Sequence, residues 1–90
     1  MLVLAHMDDY EICHEKINSA IHLIAKRCDT EEERAAVIND ARALYQDAKP
    51  AFDRLQERGA TAELSLEQLQ DWSNQLKHIQ SYFADQRLEL

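Results

Sequence analysis

The chain has 90 residues, of which 46% are hydrophobic and 30% charged, and its formal net charge is −7 at pH 7. This length predicts one domain with a marginal core, because a chain this short buries only about 60–65% of its unfolded surface. The apolar fraction is too high for a disordered chain. The negative charge argues against direct binding to nucleic acid or to anionic membrane surfaces, which both require a basic protein surface.

A single glycine and a single proline, with abundant Ala, Leu, Glu, Gln and Arg, predict an all-α fold. No run approaches the roughly 20 apolar residues of a membrane span, and the opening MLVLAHMDD lacks the basic region of a signal peptide. Cys13 and Cys28 fall in one predicted helix, about 22 Å apart at 1.5 Å per residue, which is too far for a disulfide. We therefore expect a reduced, cytoplasmic protein without membrane association.

The first predicted helix covers residues 5–28. The apolar residues of its seam are spaced alternately three and four positions apart, as the a and d positions of a coiled coil are. The residues of this seam are Met7, Tyr10, His14, Ile17, Ile21, Ile24 and Cys28. Acidic residues near the start and basic residues near the end suit the helix dipole.

The second predicted helix covers residues 31–58 and is the longest. Thr30 and Glu33 have the spacing of a capping box, which leaves only a two-residue connection after the first helix. Gly59 is predicted to end the helix in the left-handed conformation. Pro50 lies inside the helix, and because the apolar phase is unchanged across it we predict a kink there. A full break into two helices is the alternative, since proline disfavours helical geometry in the residue before it.

The third predicted helix covers residues 65–87, because Ser65 and Gln68 repeat the capping pattern. Its apolar seam consists of Leu69, Trp72, Leu76, Ile79 and Phe83. Three helices with short connections predict three antiparallel helices in a small bundle. The small core favours a homodimer, and an intertwined dimer in which the helices pair across a twofold axis is the alternative arrangement.

Several apolar residues lie outside the seams. Ile12 and Leu23 point about 120–140° away from the main seam at 100° per residue, and Leu2 and Leu4 precede it. A continuous exposed apolar patch is typical of an interaction surface. His14 occupies a seam position, where a polar residue can set register or oligomeric state. The predicted partner-binding or dimer residues are therefore Leu2, Leu4, Ile12, Leu23 and His14.

No pattern in the sequence predicts catalysis or metal binding. Glu11 and His14 have the Glu-x-x-His spacing of di-iron bundles, but that chemistry needs two such motifs and two further glutamates. His14 and His22 lie about 12 Å apart along the helix, too far to share a metal ion. One glycine is too few for a phosphate-binding loop. We predict no enzymatic activity, no metal and no cofactor.

The sequence instead favours a protein-interaction module. Surplus apolar residues and negative charge suggest a small regulator of the anti-activator or adaptor type. It would sequester a partner protein, such as a basic transcription factor, and block its dimerisation or DNA binding. The alternatives are an acidic DNA mimic, which would occupy a nucleic-acid site, and a secretion-type chaperone.

Overall fold

A computed structural model describes residues 8–61 and 64–90 of the chain. Helices account for 80% of these residues, and no strand occurs among them. The first helix, residues 9–25, is continuous but contains a π-helical segment, and two further helices follow. The segments in chain order are Asp9–Ile12 (α), Cys13–Ile17 (π), Asn18–Ala25 (α), Glu31–Arg58 (α) and Leu66–Asp85 (α). The prediction of an all-α fold with three helices is confirmed.

The first helix ends earlier than predicted. Asp8 caps its start by accepting a hydrogen bond from the Glu11 N–H at 2.8 Å. The last helical residue is Ala25, because Lys26 is extended, with φ −72° and ψ 134°. The connection to the second helix therefore has five residues, 26–30, instead of two. The axes of helices that pack side by side lie about 8–10 Å apart. A link of two residues, one of them the extended N-cap, leaves little chain to span that distance and also reverse the direction of the chain.

The second helix has the predicted bounds because both of its ends are fixed locally. The Thr30 hydroxyl accepts from the Glu33 N–H at 3.1 Å, and the Glu33 carboxylate accepts from the Asp29 N–H at 3.2 Å. At the other end Gly59 has φ 79° and ψ −171°. This backbone region is open essentially to glycine alone, so the positive φ was predicted correctly while the ψ differs from the left-handed helix.

Pro50 does not divide the second helix. Its missing N–H leaves the Gln46 carbonyl without the usual helical donor. Both residues are exposed, so water can reach that carbonyl. The helix continues through Pro50 from Glu31 to Arg58, which excludes the alternative of two separate helices.

The third helix has a cap at each end. The Ser65 hydroxyl accepts from the Gln68 N–H at 3.1 Å, and Leu64, just before it, is buried in the core. After Asp85 the chain forms a Schellman motif, in which the Leu88 N–H donates to the Phe83 carbonyl at 2.9 Å.

Arg87 occupies the left-handed position of that motif, with φ 58°. Because an αL stop is usually made by glycine, a sequence with arginine there gives no signal for it. The helix therefore ends two residues before the predicted position.

The core is apolar throughout. No polar or charged side chain is buried within residues 8–61 and 64–90. All three helices contribute to one cluster of buried residues. Its members are Cys13, Ile17, Ala20, Ile24, Ala41, Ala48, Ala51, Phe52, Leu55, Leu64, Leu69, Trp72, Leu76, Ile79 and Phe83.

Candidate partner-binding surfaces

The π-helical segment changes which residues of the first helix face the core. Cys13 and Ile17 are fully buried, whereas His14 is exposed. A turn that closes from residue i to i+5 holds one residue more than an α-turn, so residues before it are rotated away from the α-helical phase. The prediction that His14 lies in the core seam is therefore wrong, and Cys13 takes that place. His14 can act at an interface only from the protein surface.

The same rotation separates Ile12 from Leu23. Ile12 is partly buried and packs against the core. Leu23 is also partly exposed, and among residues 8–61 and 64–90 it is not one of those that pack against the core. The two residues thus do not form the single stripe that a regular α-helix predicts. Their predicted role in binding a partner stays a prediction, and Leu2 and Leu4 lie outside the described residues.

Leu23 lies in a shallow groove on the outer side of the first helix. The groove is lined by Ser19, His22, Leu23, Ala25 and Lys26. His22 Nδ1 is 2.8 Å from the Asn18 carbonyl, and since a carbonyl only accepts, this nitrogen donates. That hydrogen bond orients the imidazole beside Leu23. A partly exposed apolar side chain therefore lies between polar ones here.

A second exposed feature lies near the start of the first helix. Tyr10 is 38% exposed, and its ring lies nearly parallel to that of His14, with an interplanar angle of 15° and centroids 6.2 Å apart. Tyr10 also forms a T-shaped pair with the buried Trp72, with an interplanar angle of 67° and a centroid distance of 5.3 Å. Contacts on two sides therefore hold the Tyr10 ring while part of it remains accessible.

A charged cluster joins the start of the first helix to the end of the second. The side chain of Asp9 is only 13% exposed, and it accepts from Arg54 Nη2 at 2.8 Å and from Arg58 Nη2 at 2.9 Å. The hydrogen bond from Arg54, opposed in part by burial, holds the pKa of Asp9 below its ordinary value. This cluster could not be predicted from the sequence, because no local pattern indicates an ion pair between residues 45 positions apart.

A cleft borders this charged cluster. It has a volume of about 540 Å³ and is lined by Asp8, Asp9, Tyr10, Leu55, Arg58, Gly59, Thr61 and Leu64. Its floor is apolar, from Leu55 and Leu64, which are both buried. The cation at its rim, Arg58, already holds Asp9. Charge at the cleft is therefore largely neutralised within the protein.

The Cys13 thiol has low reactivity in the folded protein. Its Sγ lies 4.0 Å from the Ala48 carbonyl inside the core. Burial, with a smaller contribution from the nearby Asp9 carboxylate, raises the pKa of this thiol to about 12. Because the thiolate is the reactive form, this cysteine is unsuited to nucleophilic or metal chemistry in the folded protein.

Two further searches of the described residues, and the comparisons with known proteins, give no functional assignment. Among residues 8–61 and 64–90, no group of three or more His, Cys, Asp and Glu side chains could hold a metal ion. Within that same part of the chain, no helix combines the length and apolar character needed to cross a membrane. Comparisons with protein-family models, curated proteins and solved structures find no match. Function has to be inferred from the surfaces described above.

Proposed function

We propose that the protein is a non-catalytic, cytoplasmic interaction module that regulates another protein by sequestering it. The partner is a basic protein such as a transcription factor, whose dimerisation or DNA binding is blocked in the complex. The observation that carries this proposal is the position of Leu23, which is partly exposed and, within the described part of the chain, is not among the residues packed against the core cluster. The net charge of −7 adds attraction for a basic partner.

Leu23 has the character of a residue that a partner would bury. Full burial of a leucine side chain contributes about 1.5–3 kcal/mol relative to full exposure, and part of that gain is still available at Leu23. His22 and Lys26 flank it and supply a polar rim. An apolar centre with a polar rim is the usual anatomy of a protein interface.

The proposed arrangement is an antiparallel bundle that displays the outer face of the first helix. Contacts between the first two helices run in opposite chain order, since Asp9 meets Arg54 and Lys16 meets Asp47. A core of this size gains from self-association. We therefore include a homodimer in the proposal, formed through the Leu23 groove, and the partner would displace the second copy when it binds there.

Solution mass tests the self-association. We would measure light scattering over a dilution series for wild type, Leu23→Asp and Asn74→Asp, which places the same charge at an exposed position of the third helix. The expected result is a dimer for wild type and Asn74→Asp and a folded monomer for Leu23→Asp. A mass that is the same for all three proteins, with unchanged circular dichroism, would count against the groove as a dimer surface.

Partner binding is tested with the same variants. Proteins retained by immobilised wild type would be identified, purified and tested for release from DNA when this protein is added. We expect Leu23→Asp to lose both binding and release while Asn74→Asp keeps them. Strong salt dependence without sensitivity to Leu23 would instead favour the DNA mimic, and binding that is equal in both variants would contradict the proposal.

A further inference from the structure

We infer that the surface around Tyr10 and His14 docks a basic protein segment, with an arginine side chain placed against the Tyr10 ring. This inference rests on the proposed function, because it specifies the chemistry by which a basic partner is recognised. The site is separate from the Leu23 groove: Tyr10 and Leu23 are about 20 Å apart along the helix at 1.5 Å per residue.

The aromatic part of this surface is already fixed in position. Trp72 of the third helix forms a T-shaped pair with Tyr10, and His14 lies almost parallel to the Tyr10 ring from the next turn of the first helix. Tyr10 nevertheless keeps 38% of its surface exposed. A partner therefore meets a ring whose side-chain entropy is already reduced, which lowers the cost of binding. Tyrosine is among the residues enriched at binding hot spots.

Three carboxylates adjoin these aromatic residues in sequence, and none of them has a cation partner in the described part of the chain. Glu11 and Glu15 flank Tyr10 and His14 in sequence, and Asp71 adjoins Trp72; all three are exposed. Among the described residues, no Lys, Arg or His nitrogen forms an ion pair with these three carboxylates.

The described cations close to this part of the first helix each pair with another carboxylate. Lys16 pairs with Asp47 of the second helix at 3.3 Å, and Arg54 and Arg58 hold Asp9. The carboxylates of Glu11, Glu15 and Asp71 therefore keep their charge without a described cation partner, and their charge has the same sign as the net charge of −7. This charge complementarity indicates a cationic partner in place of an apolar or acidic one.

Arginine suits the surface better than lysine. Its planar guanidinium can stack on an aromatic ring and donate to carboxylates at the same time, and it is more weakly hydrated than an ammonium group. A cation placed over a tyrosine ring contributes about 0.5–1 kcal/mol at an exposed site, which corresponds to about a two- to fivefold change in affinity. An arginine-bearing helix or extended segment of a protein is thus the expected ligand.

The test uses the full chain and a short fluorescein-labelled peptide of alanine and arginine, followed by fluorescence anisotropy. One variant, Glu11→Gln/Glu15→Gln, removes two charges at the surface. Its matched control, Asp40→Asn/Asp85→Asn, removes two exposed charges elsewhere on the second and third helices. We expect about a fivefold or greater loss of affinity in the first variant and less than about a twofold loss in the control.

Two further measurements test the contribution of the Tyr10 ring to binding. Tyr10→Leu keeps an apolar contact for Trp72 but removes the aromatic face, and we expect about a two- to fivefold weaker complex. A peptide with lysine in place of arginine should bind wild type more weakly than the arginine peptide does. The two peptides should bind Tyr10→Leu with equal affinity. Circular dichroism confirms that each variant is folded.

Equal losses in Glu11→Gln/Glu15→Gln and in its control would show attraction by overall charge alone and would overturn the inference. So would the absence of saturable binding, or an affinity that does not change in Tyr10→Leu. The outcome is distinguishable from failure of the proposed function, because Leu23→Asp should bind this peptide as wild type does. Loss of dimerisation or of partner capture in Leu23→Asp would leave the peptide result unchanged.

Discussion

The two ends of the second helix are held by different kinds of polar contact. At the end near Arg58, two guanidinium groups hold the carboxylate of Asp9, whose side chain is only 13% exposed. These contacts are charge-assisted, so they are strong, but they depend on the ionisation of one group.

Toward the other end, the arginines bind uncharged acceptors. Arg42 Nε donates to the Glu89 carbonyl at 2.9 Å, and its guanidinium lies 5.7 Å from the centre of the Phe83 ring. Arg34 donates to the side-chain oxygen of Gln86. Neither acceptor titrates in the acid range. The comparison teaches that the arginine contacts near Arg58 are sensitive to acid and those of Arg34 and Arg42 are not, although arginine supplies the donors in both places.

The largest expected effect comes from removing the buried Phe83 side chain, which lies beside the arginine that binds uncharged acceptors. Phe83 is 1% exposed, accepts the Leu88 N–H through its carbonyl and carries the Arg42 contact. Phe83→Ala should lower the free energy of unfolding by about 3–5 kcal/mol, as buried phenylalanine truncations do. Urea denaturation followed by circular dichroism measures it. Ser81→Ala, at an exposed position of the same helix, should change the value by less than about 0.5 kcal/mol.

A smaller loss is expected from the acid-sensitive contacts near Arg58. Asp9→Asn keeps the shape of the side chain but removes the charge that Arg54 and Arg58 bind. We expect a loss of about 1 kcal/mol at pH 7, at the upper limit for partly exposed pairs because two donors converge on one carboxylate. The same denaturation measurement checks it. An unchanged midpoint would mean that the cluster contributes no net stability.

The pH dependence of Asp9 sharpens the contrast between the two sets of arginine contacts. Its pKa in the folded protein is lowered from the ordinary value of 3.8. The stabilisation is therefore present above pH 3.8 and is lost as the pH falls through the lower, folded value. Wild type should lose this contribution in that acidic window, whereas Asp9→Asn should lack it at every pH. Parallel stability curves for the two proteins in acid would contradict the assignment.

Arg42→Gln tests the arginine that binds uncharged acceptors, and the expected change in stability is smaller. It removes one hydrogen bond to the Glu89 carbonyl and the contact with the Phe83 ring. We expect a loss of about 0.5–1 kcal/mol. The loss should be the same at pH 7 and at pH 4, because neither partner of Arg42 titrates there. A loss that disappears on acidification would show an unrecognised carboxylate partner.

The smallest expected change is an increase in the free energy of unfolding. Arg87 has φ 58° at the stop of the third helix, where a side chain strains the backbone. Arg87→Gly should relieve that strain and raise the free energy of unfolding by about 0.5 kcal/mol, after allowance for the added flexibility of glycine in the unfolded chain. Thermal denaturation gives the sign of the change. A lower melting temperature would indicate that the Arg87 side chain itself contributes to the fold.

The elements that could be predicted are those determined by neighbouring residues. Thr30 and Gly59 bound the second helix through hydrogen bonds made within a few residues, and Ser65 does the same for the third helix. These capping residues can be recognised from the sequence, so the bounds of the second helix, residues 31–58, could be predicted without knowledge of tertiary packing.

Features that depend on tertiary packing could not be predicted. The π-helical segment that exposes His14 and buries Cys13 has no sequence signature, and the helix stop at Arg87 lacks the expected glycine. The Asp9 cluster joins residues far apart in the chain. The candidate surfaces were affected most, because their composition depends on the helical phase that the π segment alters.

The two cysteines differ so much in environment that they offer a route to labelling without mutation. With a pKa of about 12, Cys13 would be only about one part in 100,000 thiolate at pH 7. Cys28 lies in the connection between the first two helices and is partly exposed. A maleimide dye should therefore attach at Cys28 alone, at the opposite end of the first helix from Tyr10. Slow appearance of a second label would then report opening of the core in real time.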